Sequence, residues 1–163
     1  MFYGTADEYR AYHTARGRDM TSQSDDAVVN QLLLVASEWI DGVFRNRFEG
    51  YKVGQRSQVR EWPRYGPVDR DGYHVPSDFV PIEIEWATYE AAYRESQATG
   101  SLIKDFTPPE YRSVRIEGSI AVQYANVSAQ MVQTQFPIIG QILDRLLGDY
   151  SAVSMLSSKV VRA

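Results

Sequence analysis

Cysteine is absent from this 163-residue chain, which removes disulfide frameworks, thiolate metal sites and cysteine nucleophiles together. Histidine is scarce: His13 and His74 are the only two, too few to complete a zinc site without cysteine. No apolar run approaches the length of a bilayer span, and the first residues do not read as a signal peptide. A soluble chain with no membrane partner, assembled in a reducing cytoplasm, is the expectation. A glycine-rich phosphate loop, a His-x-x-x-His pair and a serine in a nucleophile-elbow context are all missing. Asp69-Arg70-Asp71-Gly72 begins like a calcium loop but lacks the remaining ligands, so it reads as a turn. The sequence therefore predicts no catalytic residue, no cofactor and no metal, and a protein that is not an enzyme.

What is present fits one domain with extensions, long enough to bury a core. Seventeen basic residues against twenty-one acidic ones give a net charge of −4, which opposes strong non-specific DNA binding, because that affinity comes from phosphate neutralisation. The charge is uneven. Residues 1–50 carry five basic and eight acidic groups and residues 81–163 carry seven and nine, but residues 51–80 carry five and four. The middle segment alone is not acidic.

Helices bracket that segment. Thr5-Ala6-Asp7-Glu8 has the form of a capping box and opens a short helix to about Arg16, closed by Gly17. Its aromatic side, Tyr9, Tyr12 and His13, is expected to pack on the body. Ser24 begins the main helix, with Asp25 and Asp26 in a first turn where the helix dipole favours negative charge. Val28, Val29, Leu32, Leu33, Ala36, Trp39, Ile40, Val43 and Phe44 then recur at three- and four-residue steps, with Trp39 and Phe44 as core. Gly42 inside this helix suggests a close approach or a bend.

Pro81 suits the start of a third helix reaching about Gln97. Its mixed small and large apolar residues let a neighbour come close, and Glu90 and Arg94 are spaced to pair. Glu83, Glu85, Glu90 and Glu95 read as a solvated face. A hairpin over 112–125 follows, with Gly118 at its turn. Pro137 opens a last helix whose stripe of Ile138, Ile139, Ile142, Leu143, Leu146 and Leu147 needs a partner. The resulting fold is mainly α: a small bundle of three to four helices, a long extended arm between the second and third, a β-hairpin, and an extended C-terminal tail over 151–163.

The arm, 51–80, contains three glycines and three prolines, too many for a helix. Its apolar residues, Trp62 and Tyr65 among them, argue against disorder, and a connection this long in a compact domain is usually functional. Lys52, Arg56, Arg60 and Arg64 fall four apart, so in an extended chain all four share a face with Trp62. That row fits a nucleic-acid backbone, an acidic protein surface or plain solvation. An arm of opposite sign to its own body also suits contact with an identical neighbour. The tail, fully stretched, reaches on the order of 50 Å. Tyr150, Val153, Met155, Leu156, Val160 and Val161 are apolar, Lys159 and Arg162 make its end basic, and a partner-bound tail is expected.

One set of residues supports a resemblance. Gly54, Arg56, Gln58, Glu61-Trp62-Pro63-Arg64, Asp71-Gly72, Val80-Pro81, Ala87 and Glu90-Ala91 resemble the phage protein family labelled DnaT-like, over about residues 24–150. That family is similar in turn to head-tail connector, or adaptor, proteins of long-tailed phages. The resemblance implies a structural protein of the virion, assembled in the host cytoplasm as a ring of twelve copies under the portal. Such a ring extends the DNA channel without sequence-specific DNA binding and offers a platform to neck and tail proteins, and its C-terminal tail binds the portal. The family label implies the alternative: a single-stranded DNA-binding protein in which Trp62 stacks on bases and Lys52, Arg56, Arg60 and Arg64 hold phosphates.

Overall fold

A computed structural model of the chain describes residues 1–102 and 136–147, together with the backbone of two strands at 114–116 and 120–122. Among the described residues there are four α-helices: α1 (Ala6–Thr14), α2 (Asp26–Phe44), α3 (Ile82–Gln97) and α4 (Pro137–Leu143). Two short antiparallel ribbons accompany them, β1 (Tyr51–Lys52) with β2 (Arg64–Tyr65), and β3 (Val114–Ile116) with β4 (Ile120–Val122). The mainly helical bundle with a non-helical segment between its second and third helices, expected from the sequence, is the fold. Gly118 and the tail residues from Tyr150 to Arg162 lie outside the described residues.

Local chemistry sets the helix ends. Thr5 Oγ1 accepts from the Glu8 backbone N–H at 3.3 Å and donates to the Glu8 carboxylate at 2.7 Å, a capping box seen side chain to side chain. On α2 the cap is Asp25, one residue later than the sequence suggests. Its carboxylate accepts from the Ala27 N–H at 2.9 Å, whereas Ser24 is already in helical backbone geometry and closes the preceding 3-10 turn. Pro81 caps α3 from just outside the helix, and Pro137 occupies the first turn of α4.

α2 and α3 form the centre, α4 packs on α3, and α1 lies against both α2 and α3. Val29, Leu33, Ala36 and Ile40 of α2 face Ile84, Ala87, Ala91 and Ala92 of α3, all fully buried. The alanines let the two backbones approach, as the small residues of α3 predict. Ile139 and Leu143 of α4 close the core. Against the sequence expectation, α2 with the turn that follows it is long and apolar enough, by length and composition, to cross a bilayer; its Val29, Leu33, Ala36 and Ile40 are buried in the core, while Val28 and Leu34 are exposed. Phe44 is buried, and Trp39 is partly buried with its ring 6.1 Å from Phe44 and 5.5 Å from Phe136.

The aromatic side of α1 packs inward as expected. Tyr9 and His13 are fully buried, and the His13 ring sits among Tyr9, Tyr12 and Tyr93 at 4.6–5.0 Å. Its Nε2–H donates to the Tyr89 carbonyl at 3.1 Å, and Arg18 donates to Nδ1 at 2.8 Å. An arginine has only donors, so Nδ1 must be bare and the imidazole neutral. Burial, chiefly, lowers the His13 pKa from 6.5 to about 4.

Two sequence expectations are corrected on α2 and α3. Gly42 marks no close approach, since a Cβ there would meet nothing within 4 Å. Nor do the α3 carboxylates form one solvated face. Glu90 is buried and takes Arg18 at 3.1 Å and Arg94 at 2.8 Å. Glu95 is buried too, accepting from the Leu102 N–H at 3.1 Å and the Ser101 hydroxyl at 3.2 Å beyond the helix end. The folding of Arg18 and the 98–102 turn over α3 supplies donors that helical periodicity cannot foresee.

Candidate functional site

The segment between α2 and α3 begins with a 3-10 turn, Arg45–Arg47, and runs into β1. The chain reverses at a second 3-10 turn, Gln55–Ser57, where Gln55 has a φ of 51°. Gly54 N–H donates to the Gln58 side chain at 2.8 Å, and the Ser57 N–H and hydroxyl both donate to the Gly54 carbonyl. β2 then returns alongside β1, with Tyr51 opposite Tyr65 and Lys52 opposite Arg64.

This reversal corrects the expectation that Lys52, Arg56, Arg60 and Arg64 line one exposed face with Trp62. A spacing of four keeps side chains together only while the strand continues. Here Arg56 sits at the turn, exposed, while Arg60, Trp62 and Arg64 are buried at 5%, 2% and 7% exposure.

Each buried group is engaged within the subunit. Arg60 donates to the Met1 carbonyl at 2.8 Å and reaches Glu38 at 3.3 Å and Asp41 at 3.5 Å on α2. Asp41 also accepts from the Tyr3 hydroxyl at 2.6 Å and the Glu61 N–H at 3.4 Å, and the Trp62 N–H donates to the Tyr3 oxygen at 3.2 Å. The N-terminal residues, α2 and the returning chain are thus knitted around one carboxylate. Burial pushes both the Asp41 carboxyl and the Tyr3 phenol upward from their ordinary pKa values. The Trp62 ring lies edge-on to Phe48 at 5.6 Å, and its Nε1 is buried without a hydrogen-bond partner. An indole in that position is core and cannot receive a base.

Arg64 is the strut of the ribbon. Its guanidinium donates to the carbonyls of Glu49 and Gly50, each at 2.7 Å, and to the Glu61 carboxylate at 2.8 Å. Lys52, on the same inward face, donates to the Gln58 carbonyl at 3.0 Å and lies 3.7 Å from Glu61. Gly50, with φ 70°, passes so close to β2 that a Cβ would stand 2.1 Å from the Tyr65 carbonyl oxygen.

The outward face is different. Tyr51 and Tyr65 are 66% and 43% exposed, with ring centroids 5.6 Å apart and planes tilted by 48°. Among the described residues Arg45 and Arg56 are exposed and have no ion-pair partner, at the two turns that flank β1. Over residues 45–65 there are six cations and two carboxylates; with Glu38 and Asp41, which pair with Arg60, the region still has two more cations than carboxylates on an acidic chain. Sequence reasoning named Tyr65 and Arg56 but passed over Tyr51 as a partner of Tyr65. The signal was an aromatic at either end of a glycine- and proline-broken segment.

Further along, the Asp69–Gly72 stretch is the turn expected of it. Asp69 Oδ1 accepts from the N–H groups of Asp71 at 3.0 Å and Tyr73 at 2.8 Å. Two ion pairs, Arg70 with Asp144 and Arg145 with Asp71 at 2.6 Å, fasten this turn to the 3-10 turn after α4. No group of His, Asp and Glu among the described residues is arranged to hold a metal ion.

Residues 3–163 match the family described as "Putative DnaT-like ssDNA binding protein". The chain belongs to this DnaT-like family. No curated protein and no solved structure matches the chain. The match spans α1 to the C-terminal tail, so the DnaT-like unit is the whole helical body together with its ribbon. Membership in this family agrees with the DnaT-like resemblance drawn from Glu61-Trp62-Pro63-Arg64. Three of those four residues, Glu61, Trp62 and Arg64, hold the DnaT-like fold together here.

Proposed function

We propose that this protein acts by binding single-stranded DNA and carries out no chemistry on it. The observation that carries this reading is membership in the DnaT-like family over residues 3–163. The ribbon supports it, because it presents two exposed aromatic rings and uncompensated cations on a body whose net charge is −4. Backbone affinity on an acidic protein is modest, so binding leans on aromatic stacking and on a local positive field. A titration of a labelled deoxythymidine oligonucleotide tests it. Saturable binding that weakens as salt rises is expected, and no binding at low salt refutes the reading.

A second reading is favoured by a different observation. Phe79, Ile82 and Trp86, at the start of α3, are 50%, 50% and 38% exposed, a concentration of apolar surface that suits another protein. Under this reading the chain is a head-tail adaptor of a phage virion, assembled in the host cytoplasm as a ring under the portal. Its C-terminal tail binds the portal, and neck or tail proteins dock below. Mixing the purified chain with portal protein then gives a ring complex, and deleting residues 151–163 abolishes attachment while the fold persists. Attachment that survives the deletion removes the tail's role.

A further inference from the structure

Resting on the single-stranded DNA reading above, we propose that Tyr51 and Tyr65 form the base-stacking platform of this protein, with Arg45 and Arg56 holding the flanking phosphates. The ribbon has two faces with separate duties. Its inner face carries Arg64 and Lys52, whose bonds to Glu49, Gly50, Gln58 and Glu61 fix the strands to each other and to the chain that leads into β1. Its outer face carries the two tyrosines, which have no such task. A cross-strand aromatic pair adds something to a ribbon, but this one is already clamped from below.

The occupant follows from chemistry. Exposed rings offer a π-face to any unstacked base, and Arg45 and Arg56, exposed at the turns that precede and follow β1 in the chain, have no ion-pair partner among the described residues and can meet phosphate. In duplex DNA the bases are already stacked on each other, so the platform selects single strands without reading sequence. Two other aromatic candidates, both tryptophans, fail on their surroundings. Trp62 is interior. Trp86 is bordered by Glu83 and Glu85 on α3, Glu8 reaches the same helix through the Tyr89 hydroxyl at 3.2 Å, and the Arg16 guanidinium over its ring, at 6.0 Å, is set against those three carboxylates, a balance less favourable to a phosphate backbone than that of the ribbon.

The experiment uses the full chain and fluorescence anisotropy of a labelled deoxythymidine oligonucleotide, with unlabelled duplex as competitor. Tyr51→Ala/Tyr65→Ala should weaken binding roughly tenfold or more with the salt dependence unchanged, since stacking releases no counterions. Tyr51→Phe/Tyr65→Phe, which keeps the rings, should bind like wild type. Arg56→Ala should instead flatten the log–log salt slope by roughly 0.7. Duplex should compete poorly. Tyr51→Leu/Tyr65→Leu keeps apolar bulk without the rings and stands in for the alanine pair should that pair fail to fold, with the same loss expected. Wild-type affinity in a folded ring-less double variant overturns the platform while leaving the single-stranded DNA reading intact. Absence of binding by the wild type at low salt overturns that reading, and the platform with it.

Discussion

Arg64 donates to the carbonyl of Gly50 at 2.7 Å, across the ribbon from the point where Gly50 all but touches the Tyr65 carbonyl. An arginine whose spacing marks it as a phosphate ligand is therefore a fixture of the fold. Replacing it with alanine strands three acceptors, including the Glu61 carboxylate, in a region of little solvent. A loss of about 2–3 kcal/mol is expected in urea unfolding. Arg64→Lys should recover only part, because a lysine cannot span two carbonyls and a carboxylate with a fixed fork. Full stability in Arg64→Ala would remove the strut.

Two glycine substitutions should have opposite signs. At Gly50 an added methyl collides with backbone, and φ of 70° is unfavourable for an L side chain. Gly50→Ala should cost about 1–3 kcal/mol. At Gly42, inside α2, the added methyl meets nothing within 4 Å, and Gly42→Ala should stabilise by about 0.5–1 kcal/mol through helix propensity. Thermal melting of the two variants checks both.

His13 gives the fold a specific acid sensitivity. Its folded pKa is about 4 against 6.5 when unfolded, so between those values the unfolded chain binds the extra proton. The contribution is fully present above about pH 6.5 and is lost as pH falls toward 4, amounting to roughly 3 kcal/mol. Glu90 acts in a lower window. Its pKa is held below 4.5 by Arg94 and Arg18 against the opposing effect of burial, and its contribution disappears only as pH falls below that value. His13→Gln should flatten the urea midpoint between pH 6.5 and 4 and leave the steeper acid limb in place.

Glu90 itself serves as the anion of a buried cluster with Arg18 and Arg94. Glu90→Gln leaves two guanidiniums without their charge partner and should cost about 2–4 kcal/mol at neutral pH. Glu83→Gln, on the more exposed side of the same helix, should change stability by less than about 0.5 kcal/mol. Equal effects would contradict the assignment of faces.

The bundle was legible because helix periodicity is local. The three- and four-step recurrence from Val29 to Phe44 places α2, and the Ile139–Leu143 stripe places α4, without reference to anything distant. The charged groups were legible only where their partners lay nearby, as with Glu90 and Arg94. Arg60 finds Glu38 and Asp41, about twenty residues back on another element, and no spacing rule announces that. The row of four cations failed for a related reason: periodicity assumes one continuous conformation, and the turn at Gln55–Ser57 breaks it. Trp62, flanked by arginines and followed by proline, has the composition of a surface motif, yet packs against Phe48 under the N-terminal residues.

Single-stranded DNA recognition by the outer face of the ribbon is tested most directly by nuclear magnetic resonance of the full chain, with the tyrosine rings and indole N–H groups observed together during addition of a deoxythymidine oligonucleotide. The account predicts progressive shifts of the Tyr51 and Tyr65 ring signals, with the buried Trp62 indole unmoved. Shifts at Trp62 with the two tyrosines unchanged, or no shifts at all, would contradict it.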